Sequence, residues 1–148
     1  MRIELLRYKC DLPAVQEKRG LDAAPQSLAI MQPTFLPWVG YFALIDRVDR
    51  FMLLDDVQFD RRSWQQRNRI KTAKGRAWLT VPVLTKGRRD QTIREVIIQP
   101  DARFAQTALK TLEHAYSKAP HFDQVMERVT PALERERESL CELNIALI

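Results

Sequence analysis

Histidine, glycine and cysteine are all scarce in this 148-residue chain, with two, four and two copies respectively, and each scarcity removes a class of protein. Cys10 and Cys141 stand far apart with no ligand-like spacing around either, so neither a disulfide framework nor a zinc site is expected, and both are read as thiols, Cys141 on a helix face. The glycines form neither GxGxxG nor GxxxxGK[ST], which excludes the familiar phosphate-binding loops. No apolar run approaches the roughly 20 residues that cross a bilayer. The first 26 residues lack the basic start, apolar middle and small-residue cleavage site of a signal peptide. A cytoplasmic protein without a membrane partner is the expectation. Repeats and low-complexity tracts are absent as well.

Acid is scarce in one place above all. Between Arg61 and Arg94 eleven Lys or Arg face a single acid, Asp90, a local net charge of +10 in a chain whose total is +5, so the remainder carries −5. Positive potential gathered in one quarter of the chain points to an anionic partner there more strongly than the total does.

What is present has the order of an α/β protein. Ser27 to Gln32 is a short apolar run stopped by Pro33, the mark of a buried strand. Trp38 to Arg47 places Trp38, Tyr41, Phe42 and Ile45 at helical spacing, and Arg50 to Leu54 is a second apolar strand ending at Asp55 and Asp56. Strand, helix and strand so close together predict a βαβ unit with parallel strands. Asn68 to Thr72 and Ala77 to Val83 flank Ala73-Lys74-Gly75 as a hairpin. Ile93 to Gln99 reads as a further strand, Ala102 to Tyr116 as an amphipathic helix, and a shorter helix follows Pro120. Thr130 before Pro131 reads as the start of a last helix running through the charged segment Glu134 to Glu138. The expected fold is therefore α/β: a Rossmann-like βαβ start with a mostly parallel sheet, a β-hairpin insertion and a helical C-terminal part. It occupies residues 27–148, behind an N-terminal extension of residues 1–26.

Three clusters carry candidate chemistry. In the loop after the first strand, two prolines fix the shape, Gln32 and Thr34 offer hydrogen bonds, and Trp38, Gly40 and Tyr41 open the helix. Ligands of open α/β sheets sit beyond the carboxyl ends of the strands, where helix amides point, although the same aromatics could serve only as core. Asp55 and Asp56, followed by Gln58, end the second strand. Adjacent residues of a strand point to opposite sides, so one acid is expected in the site, as a base, a hydroxyl holder or a metal ligand, unless both merely cap a turn. The third cluster runs through Arg62, Trp64, Arg67, Asn68, Arg69 and Lys71, which present guanidinium forks, an amide and an indole together. Guanidinium groups match phosphate oxygens in pairs and an indole stacks on a sugar or base. A solvated charged face is the alternative, but such faces mix signs and this run does not. His114 and His121 lie far from these clusters and are set aside. No complete metal-ligand set is present, and nothing in the sequence names a cofactor.

The strings IMQPTFLPWVGYFALID, LLDDVQFDRRSWQQRNRIK and WLTVPV, in this order and spacing, resemble the WbqC-like protein family, with a weaker match continuing through Tyr116 to Phe122 and Leu143-Asn144. The resemblance covers about residues 27 to 148. It implies a bacterial protein of surface-polysaccharide and O-antigen gene clusters that helps to modify an activated amino sugar by acyl or aminoacyl transfer. Family members look longer, so a C-terminally short member is expected. A looser likeness, to the first βαβ unit of nucleotidyltransferases such as pantothenate synthetase, lacks that superfamily's two histidines. Trp38 and Tyr41 stand in their places, so only a nucleotide-binding geometry carries over.

Together these observations predict a domain that binds a phosphorylated small molecule such as a nucleotide sugar. Asp55, Asp56, Gln32 and Tyr41 are the candidate catalytic residues, and Thr34, Trp38, Gln58, Arg62, Trp64, Arg67, Asn68, Arg69 and Lys71 the candidate binding residues. Positioning and electrostatic stabilisation fit better than a covalent intermediate, because neither cysteine falls in the motifs. A nucleic-acid-binding module and a non-catalytic partner of pathway enzymes are the competing classes. Acids amid the basic motifs weigh against a polyanion.

Overall fold

The structure, a computed structural model, describes residues 27–100, 103–135 and 137–148. The proposed N-terminal extension lies outside them. The apolar runs either side of the first helix form two parallel strands, β1 (Leu28–Met31) and β2 (Arg50–Leu53), paired Leu28 to Arg50 through Met31 to Leu53. Between them runs α1 (Val39–Arg47), whose helical spacing delivers Tyr41 and Ile45 to one face. These two residues pack with Ala29 and Phe51 into a small core. The predicted βαβ unit is present.

The predicted hairpin is present too, as antiparallel β3 (Arg67–Thr72) and β4 (Gly75–Thr80) in register from Arg67 opposite Thr80 to Thr72 opposite Gly75. Gly75 holds φ at +110°, a conformation that a side chain disfavours. Thr72 Oγ1 closes the turn by donating to the Gly75 carbonyl at 2.8 Å and accepting from the Lys74 amide. Alternation then gives the hairpin two unlike faces. Ile70 and Leu79 are buried on the inner one, and Tyr116 Oη, at the end of α2 (Phe104–Tyr116), accepts from the Lys71 amide at 2.9 Å.

The expectation of one mostly parallel sheet does not hold: the described strands form two separate pairs, one parallel and one antiparallel. Ile93 to Gln99 is not a strand but a 3₁₀ turn at Ile93–Glu95, followed by isolated bridges from Ile97 to Ser139 and from Val83 to Ile98. A capping box explains it, because Glu95 Oε2 accepts from both the amide and the hydroxyl of Thr92 and so winds the chain into a turn. Pro131 does not start a helix either. It lies inside α3 (Phe122–Glu134), close enough to the end for its missing amide to affect only the last turns. The final helix, α4 (Leu140–Ala146), begins at Ser139, whose Oγ accepts from the Glu142 amide. The predicted start of α2 at Ala102 lies outside the described residues.

The larger core gathers Phe35 from the loop after β1, Ile70 and Leu79 from the hairpin, Ala108 and Leu112 from α2, Leu133 from α3, and Leu140, Cys141 and Leu143 from α4. Phe35, fully buried, meets Phe104 with ring centroids 5.9 Å apart. One loop residue thus anchors the opening turn to the helical half. No helix among the described residues is long and apolar enough to cross a membrane.

Candidate functional site

The turn from Gln32 to Trp38 has no strand partner, yet most of its carbonyls are satisfied, as buried backbone requires. Tyr41 Oη donates to the Gln32 carbonyl at 3.1 Å, and Asn144 Nδ2 donates to the Pro33 carbonyl at 3.2 Å. Asn68 Nδ2 donates to the carbonyls of Phe35 and Leu36, at 3.3 and 2.6 Å, where Leu36 adopts a left-handed φ of +48°. Side-chain amides therefore hold what strand pairing cannot.

A second turn, Asp60 to Gln66, is braced the same way by two buried glutamines. Gln65 Oε1 accepts from the Asp60 amide, and Gln66 Oε1 accepts from the amide of Arg62, itself at a φ of +62°. Gln66 Nε2 donates to the Val81 carbonyl at 2.8 Å. Two direct bonds and a bridge through Asn144 then tie this turn to the first one. Phe35 N donates to the Trp64 carbonyl at 2.9 Å, Gln65 Nε2 donates to Gln32 Oε1 at 2.8 Å, and fully buried Asn144 donates to the Gln65 carbonyl at 2.8 Å as well as to Pro33.

At this junction lies a cavity of about 360 Å³, lined by Ile30, Met31, Gln32, Thr34, Leu54, Ser63, Trp64 and Gln65. It opens at the carboxyl end of β1, where α/β proteins hold ligands. Among the described residues, four buried side-chain atoms lack a hydrogen-bond partner, Thr34 Oγ1, Arg67 Nε, Gln91 Oε1 and Asn144 Oδ1, and of these residues Thr34 lines the cavity. Buried polar atoms are nearly always paired, so an orphaned hydroxyl on a cavity wall is a place for a guest's hydrogen bond. A larger groove of about 900 Å³ runs between Ile97 to Pro100 and the helices. Its rim mixes Arg103, Arg135 and Arg137 with Glu134 and Glu138, so it carries little net charge beside the hairpin's acid-free cations.

The basic residues sit beside the cavity, on the outward face of the hairpin. Arg67, Arg69, Lys71, Arg76 and Trp78 share that face by register and alternation. Arg67 Cζ lies 4.0 Å from the Trp78 ring centroid, and the Trp78 ring lies 5.8 Å from Trp64, which also lines the cavity.

The structure thus brings Gln32, Thr34 and Trp64 into one cavity and sets Arg67, Arg69 and Lys71 along its neighbour, with Asn68 serving as a brace. The other candidates fall elsewhere. Tyr41 is buried in the small core and outside the cavity lining; burial pushes its phenol up, so it stays a neutral donor to Gln32. Trp38 is 67% exposed, its ring over Gly40, where a Cβ would come within 1.9 Å of it. Gln58 is exposed, donating to the Arg89 carbonyl at 3.5 Å. Arg62 is exposed on its turn.

The expected splitting of the two acids to opposite sides does not occur. Arg94 Nη2 lies 2.9 Å from Asp55 Oδ1 and 3.7 Å from Asp56 Oδ2, and the Arg94 amide donates to the Asp55 carbonyl. Cys141 Sγ donates to the other oxygen of Asp55 at 3.6 Å. The chain leaves β2 at Leu53, so the strand rule no longer governs residues 55 and 56. Among the described residues no group of three or more His, Cys, Asp or Glu could hold a metal ion.

Gln65, Gln66, Arg94 and Asn144 were not among the sequence candidates. Asn144 had a visible signal, a lone amide inside the apolar run LCELNIALI, and the Gln65-Gln66 pair stood between two arginine blocks. Neither signal says which distant carbonyl is to be met.

Fold and junction define a mixed α/β protein whose two polar turns, clamped by amides, enclose a cavity beside a cationic and aromatic hairpin. The family model of the WbqC-like protein family matches residues 32–148, and the chain belongs to that family. It is 43% identical over 124 residues to a Mycobacterium tuberculosis protein, "Uncharacterized protein Rv1507c". That match covers 83% of this chain and 53% of the relative, so the chain spans about half the length of the curated relative it matches. No solved structure matches it.

Proposed function

We propose that residues 27–148 form a WbqC-like domain of a transferase-type enzyme that acts on a nucleotide-activated amino sugar in bacterial surface-polysaccharide (O-antigen) biosynthesis in the cytoplasm. The observation that carries this is the union of the two turns: Gln32 and Thr34 share a cavity with Trp64, next to Arg67 and Arg69. The sugar enters the cavity, where Thr34 Oγ1 supplies a hydrogen bond, and the arginines neutralise phosphate. The β1–α1–β2 unit acts as the start of a Rossmann-like site, with the guest beyond the strand ends. Rate enhancement comes from holding the activated sugar against a second substrate and from cationic stabilisation of developing charge, with other enzymes of the pathway as partners. Arg94 pairs with both Asp55 and Asp56 beyond the end of β2.

A thermal-shift screen of the purified chain against nucleotide sugars, nucleotides and acyl donors tests this. A ligand at 100 times its Kd stabilises by about 2.7 kcal/mol. The expected result is stabilisation by a nucleotide sugar that Arg67→Ala and Thr34→Val each weaken. Failure of every such ligand to shift the midpoint contradicts the proposal.

One observation favours a second reading, nucleic-acid binding: β3 and β4 contain four cations and no acid. Affinity for an oligonucleotide falling by about 0.7 to 0.9 log units per contacted phosphate for each log unit of salt, without any response to nucleotide sugars, would replace the enzyme reading.

A further inference from the structure

Trp64 and Trp78 are each about half exposed, at 49% and 48%, although either ring would gain from leaving water. Their centroids are 5.8 Å apart and their planes inclined at 46°, so they make an open wedge rather than a closed stack. Arg69 Cζ lies over both rings, 5.6 Å from the centroid of Trp64 and 5.4 Å from that of Trp78. Trp64 is at once a wall of the wedge and a wall of the cavity. On the same face Lys71 stands directly opposite Arg76, a like-charge pair that disfavours the hairpin until an anion lies along it.

A guanidinium and a nucleobase are both planar groups that stack on indole, and a base brings the larger face. We propose that the Trp64–Trp78 wedge is the base-stacking subsite of a nucleoside diphosphate. The base takes the position of the Arg69 guanidinium over the rings, and Arg69 turns to the phosphates beside Lys71 and Arg76. The proposal rests on the nucleotide-sugar reading above and deepens it: the base is held by the hairpin and the sugar by the cavity, with Trp64 between them. The hairpin cations are flexible donors with no fixed frame for a base edge, so the wedge reads the ring face and discriminates weakly between bases.

Isothermal titration of uridine diphosphate, guanosine diphosphate and inorganic pyrophosphate into the parent chain, Trp78→Ala, Trp78→Phe and Arg69→Gln tests this. Both nucleoside diphosphates are expected to bind within about tenfold of each other and at least about tenfold more tightly than pyrophosphate, the range one stacked base supplies. Trp78→Ala is expected to lose that advantage for the nucleotides while leaving pyrophosphate unchanged, and Trp78→Phe to keep most of it. Arg69→Gln is expected to weaken pyrophosphate and nucleotides alike. Pyrophosphate binding as tightly as the nucleotides, or nucleotide affinity unchanged in Trp78→Ala, overturns the wedge as a base site. A nucleotide sugar that stabilises the parent and Trp78→Ala equally also overturns it, while sparing the enzyme reading. Absence of binding by any nucleotide or nucleotide sugar overturns both.

Discussion

The β1–α1–β2 unit and the junction beside it are held together by different means. In the first, two strands pair residue by residue and a small apolar cluster of Ala29, Tyr41, Ile45 and Phe51 fixes the helix on the sheet. In the second, two turns without strand partners are joined by the amides of Gln65 and Asn144, and Asn68 ties the first of them to the hairpin. The periodic unit supplies a frame and the amide-clamped turns supply a shaped cavity. Polar side chains thus build the site twice, once by bracing it and once by lining it.

Four substitutions or conditions separate these contributions, beginning with the largest effect. Phe35→Ala removes the fully buried ring that pins the first turn to the helical core, and is expected to cost about 3–5 kcal/mol in chemical denaturation. Asn144→Ala leaves the carbonyls of Pro33 and Gln65 buried without their donor. A loss of about 2–4 kcal/mol is expected, read as a lower urea midpoint at unchanged slope. An unchanged midpoint would show that the turns do not need their clamp.

Trp78→Ala, on the outward face of the hairpin, is expected to cost about 1 kcal/mol through its lost contacts with Arg67 and Trp64, too little to unfold the chain, so that a loss of ligand reports binding rather than folding. The smallest effect is that of acid. The Asp49 carboxyl is held below its ordinary value of 3.8 by hydrogen bonds from the Ser27 amide and hydroxyl, and Glu95 below 4.5 by those from Thr92. Both folded-state values are depressed, so this stability is fully present above the ordinary values and is lost as pH falls through the lower ones. Asp49→Asn is expected to lower the thermal midpoint slightly at neutral pH, where this contribution is present, and to leave it unchanged in strong acid, so that the decline with acid flattens.

The same contrast explains what could be read from the chain alone. β1, α1, β2 and the hairpin follow from short-range apolar spacing and a turn glycine, and they stand within a few residues of where the sequence predicts them. Ile93 to Gln99 has the composition of a strand, but the Thr92 and Glu95 capping box, also written in the sequence, prevails. Pro131 mimics a helix start because its neighbours cannot reveal that α3 is already under way. Gln32, Thr34 and Trp64 were legible as polar or aromatic residues in shaped loops. The bonds that gather them span more than 30 positions for Gln65 to Gln32 and more than 100 for Asn144 to Pro33, and no local pattern records such distances.

The central claim is that the turn after β1 and the basic hairpin serve one guest. Titration of a nucleotide sugar followed by NMR, observing the amides of Gln32 and Thr34 together with the indole N–H signals of Trp64 and Trp78, tests it directly. The expected result is that all four respond to the same additions with one shared dissociation constant. Movement of the hairpin signals alone, or two separate constants for the two groups, would contradict it.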